Sequence, residues 1–367
     1  MIEYKTHNKN SLLEYINGDQ FGLGNDIPIT KHRAISQCHN PRLDDEDIIL
    51  IIALENGILV GYLGILPDLI YYKENQPEKI GCVTCLWVSP TVRGKSVSSE
   101  LLKIAIHHWN KKLFLGDYVP FTKKIYDRSG DFLIQPYQKQ GVRLYVLSDL
   151  HTILPPKKLI FEKTKSLLKI IDTSLNIFIK IKHKFNKQRL EHLTFEYNEE
   201  IDDESQHFIE LRQQNQLFRR EKPELNWMLK YPWVLSAENK DELNCKYYFS
   251  STAKSFSYRV VKIRNLDNKL IGLLIFSIRD FNLKLPYLYH DQNLDDIVMA
   301  INYHIIKWQI KTFTTYDEDL AKRILHLKSP AFHKRVVTRN YLLSKDLDTT
   351  TFFHMKMQDG DGDCGFT

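Results

Sequence analysis

A chain of 367 residues that is 43% hydrophobic and 26% charged has the make-up of a folded globular protein, which excludes wholesale disorder and fibrous repeats. It is long for one core, so two domains are expected. The formal net charge of +6 suits anionic small molecules, nucleic acid or an acidic membrane face, and its distribution matters more than its size.

The opening residues, MIEYKTHNKNSLLEYI, lack the basic segment and apolar block of a secretory signal. Helices are predicted near Ser11 to Asn17 and Thr30 to Gln37. From Asp47 to Tyr72 the chain reads as two strands joined at Glu55-Asn56-Gly57, because Asn-Gly between β-rich runs is a strong hairpin signal. The purest apolar run, Ile48 to Leu54, is far too short to span a bilayer, so no transmembrane segment and a cytoplasmic location are expected. A third strand at about Ile80 to Val88 contains Cys82 and Cys85. On a strand these point to opposite faces, and no second pair completes four ligands, so buried thiols are expected and no metal. The five cysteines are odd in number and scattered, which argues for a reducing compartment.

After the loop Trp87 to Leu102, WVSPTVRGKSVSSELL, an amphipathic helix is predicted, with Val97, Leu101, Leu102, Ala105 and Trp109 on one buried face. A short strand near Leu113, a helix from Thr122 to Arg128 and two strands, FLIQPY and RLYVL, separated by the turn QKQG, complete this region. From residue 157 to 189 ten lysines and arginines face only Glu162 and Asp172, interleaved with Leu, Ile and Phe, a basic amphipathic helical stretch. Beyond an acidic patch, EYNEEIDDE, the pattern repeats in outline. There is a helix at Ser205 to Arg212, three strands around an Asp-Asn turn, a helix from Asp295, a strand KTFTTY, a helix from Asp317, and strands RVVTRNYLLS and FFHMKM. This reads as a tandem duplication at low identity.

A charged, glycine-containing turn between a strand and a helix is a place to hold phosphate, because the first amides of a helix have no partner within it. The segment LWVSPTVRGKSVSSELL resembles the acyl-CoA-binding motif of the GNAT superfamily, the GCN5-related N-acetyltransferases. Arg93, Gly94, Lys95 and the Leu101-Leu102 pair match the motif, while Ser96 and Ser98 stand where the family has glycines. FTKKIYDRSGDF resembles the family's LY-x-x-x-GF signature, with Tyr126 on the tyrosine and Gly130 on the glycine. The resemblance covers about residues 1 to 147. It implies an α/β (α+β) fold of two tandem GNAT-like domains, each a mixed, mostly antiparallel twisted sheet flanked by helices. The expected segments are 1–150, acyl-CoA-binding; 151–190, a basic helical linker; and 191–367, a degenerate copy.

It also implies acetyl-CoA as co-substrate and an amine of a small molecule, sugar or peptide as acceptor. Amides and side chains of Arg93, Gly94, Lys95, Ser96, Val97 and Ser98 would take the pyrophosphate, the backbone near Val88 the thioester oxygen, and Tyr126 would protonate the thiolate. The general base stays open between Glu78, Asp117 and a water chain. Two other readings stand beside this one: a cell-wall-type peptidyl or aminoacyl transferase, and a non-catalytic binding protein that keeps the fold. Nucleic-acid binding lacks a recognisable module. In the second half Asp295 and Asp296 read as residues favoured at a helix start, and the tail DGDGDCGFT as a turn or a closing tail. In the basic stretch Ile160, Leu167, Ile171, Leu175 and Phe178 recur at helical spacing and are expected to pack between domains; contact of the lysines with anionic headgroups is the alternative.

Overall fold

The computed structural model describes residues 1–19, 21–73, 76–118, 120–133, 137–185, 190–237, 245–291, 293–347 and 354–366. In chain order the elements are β1 (Ile2–His7), α1 (Lys9–Asn17), α2 (Lys31–Cys38), β2 (Leu50–Glu55), β3 (Ile58–Lys73), β4 (Gln76–Val88), α3 (Val97–His108), β5 (Leu113–Gly116), α4 (Pro120–Ser129) and β6 (Tyr137–Tyr145). Then come α5 (Leu150–Ile153), α6 (Leu159–Lys163), α7 (Lys165–Phe185), β7 (Thr194–Asn198), α8 (Asp203–Glu210), α9 (Lys222–Lys230), β8 (Leu235–Ser236) and β9 (Thr252–Ala253). The last are β10 (Phe256–Arg264), β11 (Leu270–Arg279), β12 (Asn282–His290), α10 (Leu294–Lys307), β13 (Thr312–Thr315), α11 (Glu318–His326) and β14 (His333–Leu343).

These elements form two compact units that interleave along the chain, unlike the contiguous segments drawn from the sequence. The first unit combines residues 1–138, 199–256 and 339–367; the second combines 139–198 and 257–338. In the first unit the strands run in the order β1-β2-β3-β4-β5-β14, where only the end of β14 belongs to the unit. The meander is antiparallel and turns where Asn56 and Gly57 both take positive φ, 52° and 78°, as a two-residue hairpin loop requires. Helix α3 lays Val97, Leu101, Leu102 and Ala105 on one face of this sheet, against Leu63, Ile65, Val83, Leu113 and Leu115.

The second unit orders its strands β6-β13-β12-β11-β10-β7, with α10 and α11 contributing Ile297, Ile301, Ile305, Leu320 and Ile324 to its core. Here one expectation is corrected. QKQG is not a turn, because Gln138 to Gly141 lie inside β6, antiparallel to β13. Gly141 is needed for close approach: a Cβ there would sit 2.2 Å from the carbonyl oxygen of Thr315. Of the two expected strands FLIQPY and FFHMKM, residues 134–136 and 352–353 lie outside the described residues.

Helix α7 supplies the second correction. The residues expected to form a buried seam are exposed: Ile160 at 63%, Leu167 at 57% and Phe178 at 72%. The helix is instead attached to its unit through a stripe that includes Asp172, Asn176 and His183.

Candidate functional site

The site begins where two strands part. In the first unit β4 pairs with β5 in parallel only at Gly81–Leu113 and Cys82–Phe114. Past that point β5 keeps only its other neighbour, β14, which pairs with Phe114, Leu115 and Gly116 through Leu343, Leu342 and Tyr341, and β4 continues alone on that side from Val83 to Val88. Gly81 sits at the crotch of this fork, since a Cβ there would lie 2.6 Å from the Trp109 ring. On its other edge β4 carries a register shift against β3, where Tyr62 faces Trp87 but Gly64 faces Thr84. The extra residue bends β4 just past the end of its pairing with β5, as a bulge does. Beyond the bulge the amide of Ser89 bonds the Val60 carbonyl at 2.8 Å. By alternation along a strand, the amide of Val88 points to the opposite edge, into the fork.

The charged loop follows directly. Ser89 caps a short 3-10 turn, Pro90–Val92, and Gly94 takes φ 86° with nothing within 4 Å of a built Cβ. Ser96 takes φ 58°, left-handed, at the N-cap of α3 and makes no side-chain cap bond. Among the described residues no backbone acceptor meets the amides of Gly94, Ser96, Val97 or Ser98, whereas Ser99 and Glu100 both bond the Ser96 carbonyl. Arg93, Gly94, Lys95 and Ser96 are exposed, and the Lys95 ammonium pairs with Glu55. A row of unpartnered amides at a helix start, flanked by a guanidinium, is a cradle for an anion. Gly61, on β3 beneath it, lets α3 approach, since a Cβ would lie 3.1 Å from Val97 Cγ1.

Tyr126 lies on α4 in the same unit. It is buried among apolar residues on the α3 side, its ring edge-on to Tyr118 and to Phe132, with centroids 6.4 and 5.4 Å away. Burial raises its pKa, so its hydroxyl is protonated at neutral pH. Glu78 is paired with Lys112 at 2.7 Å near the start of β4, on the closed side of the crotch. His107 and His108 end α3 as exposed residues where the helix dipole favours them.

The opposite face of the fork holds a polar group that sequence reading missed. Arg33, from α2, donates to Thr84 Oγ1 at 3.2 Å and to the Tyr247 hydroxyl at 3.0 Å, with its guanidinium 3.7 Å from the Trp233 ring centroid. Tyr247 donates in turn to the Cys85 thiol at 3.4 Å, next to the bulge. Burial pushes both the Cys85 thiol and the Tyr247 hydroxyl up, so neither ionises near neutrality. The acidic tail completes the cluster. It crosses the sheet where the fork opens: a Cβ on Gly362 would sit 3.1 Å from the Phe114 ring and 3.9 Å from Cys82 Sγ, and one on Gly116 3.2 Å from Cys364 Sγ.

That tail is fastened by Arg339, which donates to the Asp359 carbonyl at 2.6 Å, and by Asp361, which accepts from the Gln358 amide at 2.7 Å. Just beyond these anchors Asp363 is part-buried. Burial pushes its carboxyl up to about 6, against the pull of Arg33, its own amide and Arg339, with Asp117 adding to the rise. A carboxyl that ionises near neutrality can take a proton from an ammonium bound within its reach. Neither local spacing nor composition marks Asp363, because Arg33 and Asp117 lie hundreds of positions away.

The second unit repeats the frame without the cradle. β12 pairs with β13 only from Asn282 to Lys284 and carries its own register shift against β11. At the start of α10, however, Asn293 caps the Asp295 amide at 3.1 Å, Asp295 pairs with Arg323, and His192 bonds Asp296 at 3.0 Å. Among the described residues one group has metal-ligand spacing, Asp149, His151 and Asp172. Asp172 already accepts from Ser148 Oγ, the Leu150 and His151 amides and His151 Nδ1, at 2.6 to 2.9 Å. Its carboxylate is stabilised by protein donors and anchors α7.

Residues 12–119 match the model of the acetyltransferase (GNAT) family. This segment, which contains the fork and the loop, belongs to that family. Among solved structures the chain is similar to a GCN5-related N-acetyltransferase from Anabaena variabilis, at 13% identity and TM-score 0.50, over 94% of this chain and 72% of that one. It is also similar to a conserved protein of unknown function and probable N-acyltransferase from Enterococcus faecalis, at 12% identity and TM-score 0.53, over 96% and 74%. At these identities the likeness is one of fold. No curated protein matches the chain.

Proposed function

We propose that the first unit is an acyl-CoA-dependent N-acyltransferase, acetyl-CoA being the co-substrate and a primary amine of a small molecule, sugar or peptide the acceptor. The observation that carries this reading is the open strand edge at Val88 followed by the unpartnered amides of Gly94, Ser96, Val97 and Ser98. Those amides, with Arg93 and Lys95, suit a pyrophosphate, and the fork suits an extended chain lying beside β4. The Val88 amide is directed where a thioester oxygen would gather negative charge. In the transfer the amine's nitrogen forms a bond to the acyl carbon as the carbon–sulfur bond breaks. Asp363 takes the ammonium proton that would otherwise block attack, Tyr126 gives a proton to the departing thiolate, and the proton that the nitrogen sheds on becoming an amide restores the Tyr126 hydroxyl.

Titration calorimetry of the full chain with acetyl-CoA tests the cradle, and mass spectrometry of acyl groups moved into a metabolite extract tests transfer. Micromolar binding and at least one acylated amine are expected. Absence of coenzyme A binding overturns the reading; binding without transfer across a broad amine panel favours a non-catalytic protein.

A further inference from the structure

The stripe that attaches α7 to its unit is mostly polar. Leu168, Asp172, Asn176, Ile179 and His183 recur every three or four residues, so they share one face. Asp172 is bonded as above, Asn176 exchanges hydrogen bonds with the backbone of Ser148 at 2.7 and 2.9 Å, and a His183 ring nitrogen bonds the Pro330 carbonyl at 2.9 Å. The apolar residues are left outward. Leu167, Ile170, Ile171, Ile177, Phe178 and Ile181 are all exposed, and by helical period they cluster on the side away from the attachment stripe. Leu159 and Ile160 of the preceding helix α6 are exposed as well. A contiguous apolar surface on this scale marks a contact with something else.

Charge says what that is. Residues 157–185 hold eight lysines against Glu162 and Asp172, a net +6 that equals the formal charge of the entire chain. Asp172 is turned inward, which leaves Glu162 as the single exposed acid of the stretch. A second copy would bring the same positive charge face to face and be repelled, whereas an anionic surface attracts it. No helix of the described residues is long and apolar enough to cross a membrane, so the contact would be superficial. We propose that α6 and α7 lie flat on an anionic lipid bilayer, the apolar side at the boundary of headgroups and acyl chains and the lysines against lipid phosphates. The surface belongs to the second unit and stands whether or not the first transfers acyl groups.

Flotation of the full chain with vesicles tests this. Binding to phosphatidylcholine vesicles containing phosphatidylglycerol is expected to be at least about tenfold tighter than to phosphatidylcholine alone, and to weaken as salt rises. Lys180→Glu with Lys182→Glu should lose about tenfold or more, at about fivefold per lysine near an anionic surface. Phe178→Asp with Ile181→Asp should abolish flotation while the melting temperature holds, because both side chains are already in water. Equal binding to neutral vesicles, or retention by either double variant, overturns the proposal. So does concentration-dependent dimerisation in sedimentation velocity that Phe178→Asp removes, which would assign the surface to a second copy.

Discussion

The two units start their equivalent helices in opposite ways. At α3 the cap is a left-handed serine that bonds no amide, the next amides are unpartnered, and Arg93 and Lys95 precede them, with Glu100 the one acid of the first turn. At α10 the cap is an asparagine in an ordinary extended conformation, φ -85°, its side chain holds the Asp295 amide, and two aspartates occupy the first turn. Both helices have the same dipole. In α10 the positive end is answered within the chain, by a cap and by acids; in α3 it is left for a ligand. The forks repeat in both units, so what separates them is the loop and not the sheet.

The largest effect expected from breaking this contrast lies at Asp363. Asp363→Asn should lower turnover by about a hundred- to a thousandfold, as loss of a general base does, with the acetyl-CoA dissociation constant unchanged. The pH profile gives a sharper reading. With the carboxyl raised to about 6, kcat/KM should fall below that pH as the base becomes protonated, and the fall should vanish in the variant. Stability moves the other way. A folded-state value above the ordinary 3.8 means the folded protein binds this proton more tightly than the unfolded chain does. The group therefore costs stability above pH 6, and that cost fades as pH falls toward 3.8. Asp363→Asn should melt higher than the parent at pH 7.5, and the gap should narrow steadily as pH falls from 6 toward 3.8. A variant that loses turnover and melting temperature together would make Asp363 structural.

Tyr126→Phe should lower turnover by about a hundredfold with little change in acetyl-CoA affinity. Unchanged turnover would leave the residue as the core aromatic its burial also permits. Arg93→Glu should weaken acetyl-CoA binding at least about tenfold, since it places a negative charge among the free amides of α3. The matched change in the second unit, Asp295→Ala, should leave affinity untouched. A loss there would mean that α10 also faces the ligand.

How much of this was legible follows the range of the contacts. The Asn56-Gly57 turn, the buried face of α3 and the loop from Arg93 to Ser98 depend on neighbours within a few residues, and pattern reading finds them. Asp363 and Arg33 are 330 positions apart, and the tail that carries the acid reads locally as an ordinary turn. Gly141 reads as a turn residue too, yet it is there because the Thr315 carbonyl comes close. Strand exchange has the same root: β14 ends against β5 and β6 lies against β13, pairings that contiguous segmentation does not anticipate. Periodicity found the faces of α7 but not which way they turn. The signal was present in Asp172, Asn176 and His183, whose spacing marks a polar stripe able to bond backbone groups.

The smallest effect expected is at Ser96, and there two opposing terms of similar size meet. A left-handed conformation costs a residue with a Cβ about 1 to 2 kcal/mol, which glycine escapes. Glycine also enlarges the freedom of the unfolded chain, a loss of about 0.4 to 1 kcal/mol. Ser96→Gly should therefore stabilise the protein by less than about 1.5 kcal/mol, and α10, whose cap is unstrained, has no counterpart gain to offer. The amide of residue 96 survives the change, and the side chain removed is exposed and caps nothing. If the backbone alone holds the pyrophosphate, acetyl-CoA affinity should stay within about threefold or tighten, because glycine lets a phosphate come nearer. A clear loss of affinity would show instead that the Ser96 hydroxyl is a phosphate donor, a contact that the glycine in the family's motif could not make.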